Sequence, residues 1–348
     1  MRRITALFIA VLFVAATWRP AQAVEIKRTV SPGGIEIWHV EDLKIPVIAL
    51  SWSFKEAGAV PPKGKEGLAY LAAGTMDEGA GDLDAQAFRA RMADIAARLS
   101  FQAGREGFSG RLVTLRDTRE EAFALTRLAL TAPRFDDEAL TRVRASIEAD
   151  LRRDAGDPNA LARRTLNATL FPGHPYGADA RGDAASLAAI TRDDLTSFVK
   201  RELGRDRLLV TAAGAISAPE LGKTVDRLFG GLPAKSEVEP VPLVVPQGLG
   251  KTLTVDFPSA QTVVAAAGPG IDRHDPDYYA ARLVTHILGG GGFSARLMKE
   301  VREKRGLSYG VYAGLVGLDQ APLVFWGGST QNAKAGDMLR VARDVWSS

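Results

Sequence analysis

Residues 66–81 read Glu66-Gly-Leu-Ala-Tyr-Leu-Ala-Ala-Gly-Thr-Met-Asp-Glu-Gly-Ala-Gly81. Leu68, Leu71, Ala72 and Met76 recur at the spacing of one helix face, so the stretch predicts a packed core helix over Glu66–Met76. Around it, Val47–Phe54 alternates like a strand, Ala85–Ala97 has helical spacing, and Arg98–Ala103 with Gly107–Leu115 forms a strand pair. Strand, helix, helix, then hairpin defines an α+β class rather than a regular βαβ alternation. The central helix carries no histidine, and no acid stands between Glu66 and Asp77.

Further along, Gly34–Val40 and Arg207–Ala213 read as strands, and Thr118–Thr131, Asp136–Asp154, Ala160–Leu170, Arg192–Leu203 and Ala218–Leu228 as helices. Thr191-Arg-Asp-Asp194 and Ser217-Ala-Pro-Glu220 each place a hydroxyl at an N-cap with an acid three residues on, where both meet free first-turn amides. Prolines 233, 240, 242 and 246 make residues 232–248 extended and predict an interdomain linker, with a long surface loop as the alternative.

After the linker the first pattern repeats at an offset of roughly 210 residues, right for a duplicated domain and too long for a solenoid. Val263–Gly268 matches the strand ending near Gly58, Tyr278–Leu288 the helix through Tyr70, Ala295–Glu303 the segment Phe88–Ala97, and Leu307-Ser-Tyr309 the strand residues Leu99-Ser-Phe101. The expected organisation is a leader (1–23), an N-terminal domain (24–231), the linker (232–248) and a C-terminal domain (249–348). That last domain is expected to be incomplete, because a full second copy would run to about residue 445.

Met1-Arg2-Arg3, an apolar run from Ile4 to Ala16 and Ala21-Gln22-Ala23 have the three parts of a secretory signal peptide, which predicts export to the periplasm. The chain counts 44 Lys+Arg against 41 Asp+Glu, and three of the arginines lie in that leader, so the mature remainder is balanced. A balanced chain gives no electrostatic footprint for nucleic acid or for a membrane surface. There is no cysteine, so stability rests on a conventional core.

The helix with Gly67-Leu-Ala69, the approach Phe54-Lys-Glu-Ala-Gly-Ala59, the turn Gly173-His-Pro-Tyr-Gly177, the run Leu288-Gly-Gly-Gly-Gly-Phe-Ser-Ala-Arg-Leu297 and the segment Arg302-Glu-Lys-Arg-Gly-Leu-Ser-Tyr309 occur in one order. In that order and spacing the chain resembles the pitrilysin/insulinase family of inverted-zincin metallopeptidases. The resemblance implies a His-x-x-Glu-His helix in which two imidazoles hold zinc and the Glu activates water. Tyr70, Ala73 and Gly74 stand at those positions, so no metal and no cofactor is expected in this chain. The family's third ligand is a Glu on a later helix; Glu148 and Asp150 lie in the comparable region, and the resemblance does not choose between them. His39, His174, His274 and His286 are scattered without i, i+4 pairing, which gives no replacement site.

The resemblance also implies that Arg302 and Tyr309, from the second domain, bind the scissile carbonyl or its developing oxyanion, and that Gly289, Gly290, Gly291 and Gly292 lie beside the substrate channel. Read without it, Arg302 pairs with Glu300 or Glu303, Tyr309 is a half-buried aromatic on a strand entered through Gly306, and the glycines are a turn between helices. They lack the Lys-Ser/Thr of a phosphate loop. The expected function is a noncatalytic, substrate-binding subunit of an exported heteromeric zinc peptidase. A His-x-x-Glu-His partner supplies the zinc, and unfolded peptide is the substrate, bound by β-strand addition. The alternative is a structural or chaperone-like homologue with no part in hydrolysis.

Overall fold

The computed structural model describes residues 25–348; the predicted leader lies outside them. Strands β1 (Lys27–Val30), β2 (Glu36–Glu41), β3 (Val47–Lys55), β4 (Arg98–Ala103), β5 (Gly107–Leu115) and β6 (Leu208–Gly214) form one sheet in the order β1-β2-β6-β3-β5-β4. Only β2 and β6 run parallel. Strand alternation then sorts the side chains. Ile48, Leu50, Trp52 and Phe54 of β3 are buried beneath the helices, while Ser51 and Ser53 turn to the other side.

Six helices follow that hydrophobic face: α1 (Leu68–Ala73), α2 (Ala85–Asp94), α3 (Arg119–Thr131), α4 (Asp137–Ala155), α5 (Pro158–Leu170) and, further on, α7 (Arg192–Glu202). The short α6 (Ala184–Ala189) and the closing α8 (Ala218–Phe229) complete the first unit. Thr191 forms the predicted capping box with Asp194. Ser217 sits at the N-cap of α8 but makes no side-chain cap bond, a correction to the sequence reading; Pro219 in the first turn helps to start that helix by fixing its backbone angle.

The same path is then traced again. Strand β7 (Gln261–Pro269), helix α9 (Tyr278–Thr285), a π-helical turn (Met298–Glu303) and the hairpin β8 (Val311–Val316) with β9 (Leu323–Gln331) build a three-stranded sheet, β7-β9-β8. In both sheets the second strand of the hairpin pairs with the first strand of the path as well as with its hairpin partner, β5 lying between β3 and β4 and β9 between β7 and β8. Helix α10 (Ala335–Ser347) packs Met338, Ala342 and Val345 into the second core. The outer side of α9, with Tyr279, Leu283 and Val284, is exposed, whereas α1, its counterpart, is buried through Leu68, Leu71 and Ala72.

Residues 233–260 contain neither helix nor strand, yet they are tied down. Glu237 N–H donates to the Arg201 carbonyl at 2.7 Å and Gln247 N–H to the Leu170 carbonyl at 2.8 Å. Val241 is buried with Phe171 and Tyr176 of the first unit and Ala321 and Leu323 of the second. At this junction the Tyr176 hydroxyl donates to Glu106 and accepts from Gln320 N–H at 3.3 Å. Asp319 N–H donates to Glu106 at 2.6 Å, and Lys55 pairs with Asp319 at 2.9 Å. Burial, with the Glu106 bond second, pushes the Tyr176 phenol well above its ordinary pKa.

One core position carries a cost. His39 lies in the helix-facing cross-strand row with Ala212, Leu50 and Leu112, is fully buried, and finds no hydrogen-bond partner for either ring nitrogen. Desolvation lowers its pKa from 6.5, against opposing pulls from Glu41 and, through a marginal backbone contact, Ile216. The unfolded chain therefore binds the His39 proton more readily. Stability from this group is complete above the unfolded value and is lost as pH falls from there through the lower folded pKa. In thermal melts between pH 7 and pH 5, His39→Leu should show a shallower fall in Tm than the parent chain; parallel falls would refute this.

Candidate functional site

Helix α1 begins at Gly67, with its N-terminal Glu66 on the rim of a groove, and its ligand-equivalent positions point into protein. Tyr70 is partly buried against the first core and Ala73 is buried. Gly74 lies under α4, where an added Cβ would come within 2.7 Å of Val143 Cγ1. A side chain at 74 would therefore require the Val143 side chain on α4 to shift. Zinc needs imidazole, thiolate or carboxylate donors, and a phenol, a methyl group and a hydrogen atom supply none. The residues present do not fit the metal, and among the described residues no group of three or more His, Cys, Asp and Glu could hold one.

Beyond α1 the groove opens as a cavity of about 450 Å³, lined by Glu66, Glu148, Leu151, Arg152, Arg164 and Asp183 among others. Glu148 faces it and lies 3.6 Å from Arg152, while Asp150 turns away to bond Arg153. The structure thus separates two carboxylates that the sequence left equivalent. In the turn that follows α1, burial pushes the Asp77 carboxyl up to about 6, and Glu78 pairs with both Arg89 and Arg142.

His174 belongs to a different structure. Its Nδ1 accepts from Tyr176 N–H at 3.1 Å, and its Nε2 lies 3.0 Å from the Pro242 carbonyl, so the Nε2–H tautomer satisfies both contacts. The His-Pro-Tyr-Gly turn is therefore a fastener between the first unit and the segment that crosses to the second.

In the second unit, Tyr309 is not on a strand. It lies in the loop before β8, because Ser308 Oγ bonds Gly310 N–H and lies 2.6 Å from the Ser329 carbonyl, holding the chain off the sheet. Thr330 Oγ1 is also 2.5 Å from the Leu307 carbonyl. Leu307 and Ser308 are buried, and Tyr309 between them and Gly310 is 89% exposed. Arg302, in the π-helical turn, stacks over the Phe293 ring at 4.5 Å rather than pairing with Glu300, which is held by Lys304 and Arg305. Neither alternative read from the sequence, an Arg302 ion pair or a half-buried strand Tyr309, describes this arrangement.

The four glycines are equally divided in role. Helix α9 continues through Gly289 and Gly290 as a π-helical turn, and a Cβ on Gly289 would stand 2.5 Å from the Ala313 nitrogen, so Gly289 lets this turn seat on β8. The turn proper is confined to Gly291 and Gly292, the latter at φ +60° with open space around it. Phe293 follows, exposed, beneath Arg302. Sequence reasoning missed Phe293 because an aromatic after a glycine run has no periodicity to mark it.

The duplicated strand-helix-helix-hairpin unit thus carries no metal donor at the α1 positions where the family resemblance implies zinc ligands. Residues 189–348 match the family described as the peptidase M16 inactive domain. The chain is 27% identical over 280 residues to the non-peptidase homolog YmxG of Helicobacter pylori, covering 80% of this chain and 64% of that one. It is 33% identical over 202 residues to an uncharacterized zinc protease of Mycobacterium bovis, covering 56% and 45%. The crystal structure of a peptidase M16 inactive domain from Pseudomonas fluorescens superposes with a TM-score of 0.87 at 28% identity, over 93% of this chain and 78% of that one. The chain is thus similar to peptidase M16 proteins, and its residues 189–348 to the domain of that family described as inactive. It spans 64% and 45% of the length of the two curated relatives named.

Restoring the lost side chains tests how far the site has closed. Tyr70→His/Ala73→Glu/Gly74→His should retain no stoichiometric zinc after dialysis and should lose about 1–3 kcal/mol of stability from overpacking against Val143. Adding Val143→Gly to that variant should recover part of the stability. One zinc held per chain by the triple variant, without loss of Tm, would show that α4 yields.

Proposed function

We propose that the chain is the noncatalytic, substrate-binding subunit of an exported heteromeric zinc peptidase. A His-x-x-Glu-His partner supplies the metal and the base. This chain supplies Arg302 and Tyr309, and its glycine turn, Gly289 to Gly292, borders the path of an unfolded peptide.

The observation that carries this reading is the presentation of Tyr309. An aromatic that is 89% exposed on a loop fastened to β9 by two hydroxyl bonds pays no packing dividend in this chain, and its phenol is free to bond elsewhere. Arg302 is held nearby in sequence by its ring contact, with no acid neutralising it among the described residues. A guanidinium and a phenol together can donate to a carbonyl oxygen as it gains charge.

The first sheet supports the substrate class. Its helix-free face carries the cross-strand row Arg28, Trp38, Thr211, Ser51, Arg111 and Ser100. Small hydroxyls and a few cations make a wall that suits extended peptide of varied sequence. Strand β4 is an edge of that sheet, with one row of backbone groups open for strand addition.

The test is copurification of the full-length gene product with a tagged His-x-x-Glu-His homologue, followed by peptide cleavage. Tyr309→Phe and Arg302→Ala should leave assembly intact and lower kcat by about 10²–10³, the usual loss for one oxyanion donor. If Arg302 serves only its Phe293 contact, its removal costs about 0.5–1 kcal/mol of stability and no turnover. Wild-type cleavage by both variants in an intact complex would assign the pair to structure and favour the chaperone-like alternative.

A further inference from the structure

A second cavity, of about 420 Å³, adjoins the first at Glu66, Ala178 and Asp179 beside the N-terminal end of α1 and is lined by residues from four separate segments. The strand exit supplies Ala59, Val60 and Pro61, α1 supplies Leu68, and Ala168 and Phe171 close the far side. Its size is that of a small-ligand site, and most of its wall is apolar.

Into this wall projects one cation. Arg105, at the β4–β5 turn, uses Nη1 on the carbonyls of Tyr176 and Ala178, and its Nε and Nη2 make no hydrogen bond. No acid pairs with it among the described residues. The adjacent Glu106 is engaged by Tyr176 and Asp319 N–H. Asp179, on the same cavity wall, is bonded twice by Arg181, at 2.9 and 2.8 Å. Glu66 accepts from Gly64 N–H at 3.2 Å. Burial disfavours the charge and lowers the Arg105 pKa in spite of the nearby Asp179 and Glu106 carboxylates, and an anion bound directly to the guanidinium would offset that burial.

We propose that this cavity binds a carboxylate carried on an apolar group, with the Arg105 Nε–H and Nη2–H groups as the fork that receives it and Val60, Leu68 and Phe171 around the apolar part. A planar guanidinium with two free N–H groups matches the two oxygens of a carboxylate. Such a group comes from the C-terminus of a peptide ending in an apolar residue, or from a short aliphatic acid. The inference concerns this chain alone and stands or falls independently of any zinc-bearing partner.

Calorimetric titration of the isolated chain with acetyl-Ala-Ala-Leu as free acid, the same peptide as C-terminal amide, and hexanoate tests it. The free acid should bind, and the amide at least tenfold more weakly. Hexanoate competing with the free acid confirms the carboxylate as the recognised group; hexanoate binding with no peptide binding confines the site to free acids. Arg105→Gln keeps a donor for the Tyr176 carbonyl and should lose at least tenfold for the acid with no change for the amide. Should that variant fail to fold, Ala168→Trp, which narrows the cavity without touching the turn, should abolish binding of the acid. Equal binding of acid and amide, no binding of any probe, or an Ala168→Trp chain that still binds the acid overturns the proposal.

Discussion

Tyr176 is the point on which the geometry of the whole molecule hangs. Its ring is buried between Phe171 and the crossing segment, and its hydroxyl meets Glu106 of the first unit and Gln320 of the second. A buried phenol and a half-buried carboxylate are costly unless each is satisfied, so the two units are held where those bonds can form. The apolar contacts of Ala321, Leu323 and Val241 surround that point and exclude water from it. His174 and Arg105 then fix the turn from either side, one through Pro242 and the other through the Tyr176 carbonyl.

The first unit was legible because its apolar residues obey simple periods. Arg98–Ala103 and Gly107–Leu115 are observed as read, and α3, α4 and α8 differ from expectation by no more than one residue at either end. The sequence suggests β8 only as the strand entered through Gly306, and it leaves β9 unmarked because the adjacent Gly327 and Gly328 interrupt the alternation of a half-buried strand. The π-helical turn at Met298–Glu303 was read as ordinary helix from Ala295, since a wider turn shares the same apolar spacing over so short a stretch. The likeness of Leu307-Ser-Tyr309 to Leu99-Ser-Phe101 predicts a strand at Tyr309, but the hydroxyl of Ser308, which bends the chain away, has no counterpart in a hydropathy pattern.

The loss at the metal site was plain in the sequence, but its physical depth was not. Tyr70, Ala73 and Gly74 announce missing donors; only the approach of Val143 to Gly74 reveals that a side chain of the neighbouring helix occupies the space a ligand there would need. Conversely, Arg105 gave no signal. A lone arginine in a hairpin is ordinarily solvated, and its setting depends on a cavity assembled from segments more than a hundred residues apart in the chain. Pairwise satisfaction of the surrounding acids, each with its own partner, is what leaves this guanidinium without one.

The unequal burial of the two units has a consequence for how the molecule comes apart. The first core draws on a six-stranded sheet and helices packed along one face, whereas the second relies on three strands, α10 and a handful of side chains such as Leu297, Val301 and Met338, with the outer side of α9 in water. Opening free energy follows buried apolar contact. Amide protons of β7 and β9 should therefore exchange with deuterium at lower protection than those of β3 and β5, and on warming the second sheet dissolves into a partly folded ensemble while the first endures.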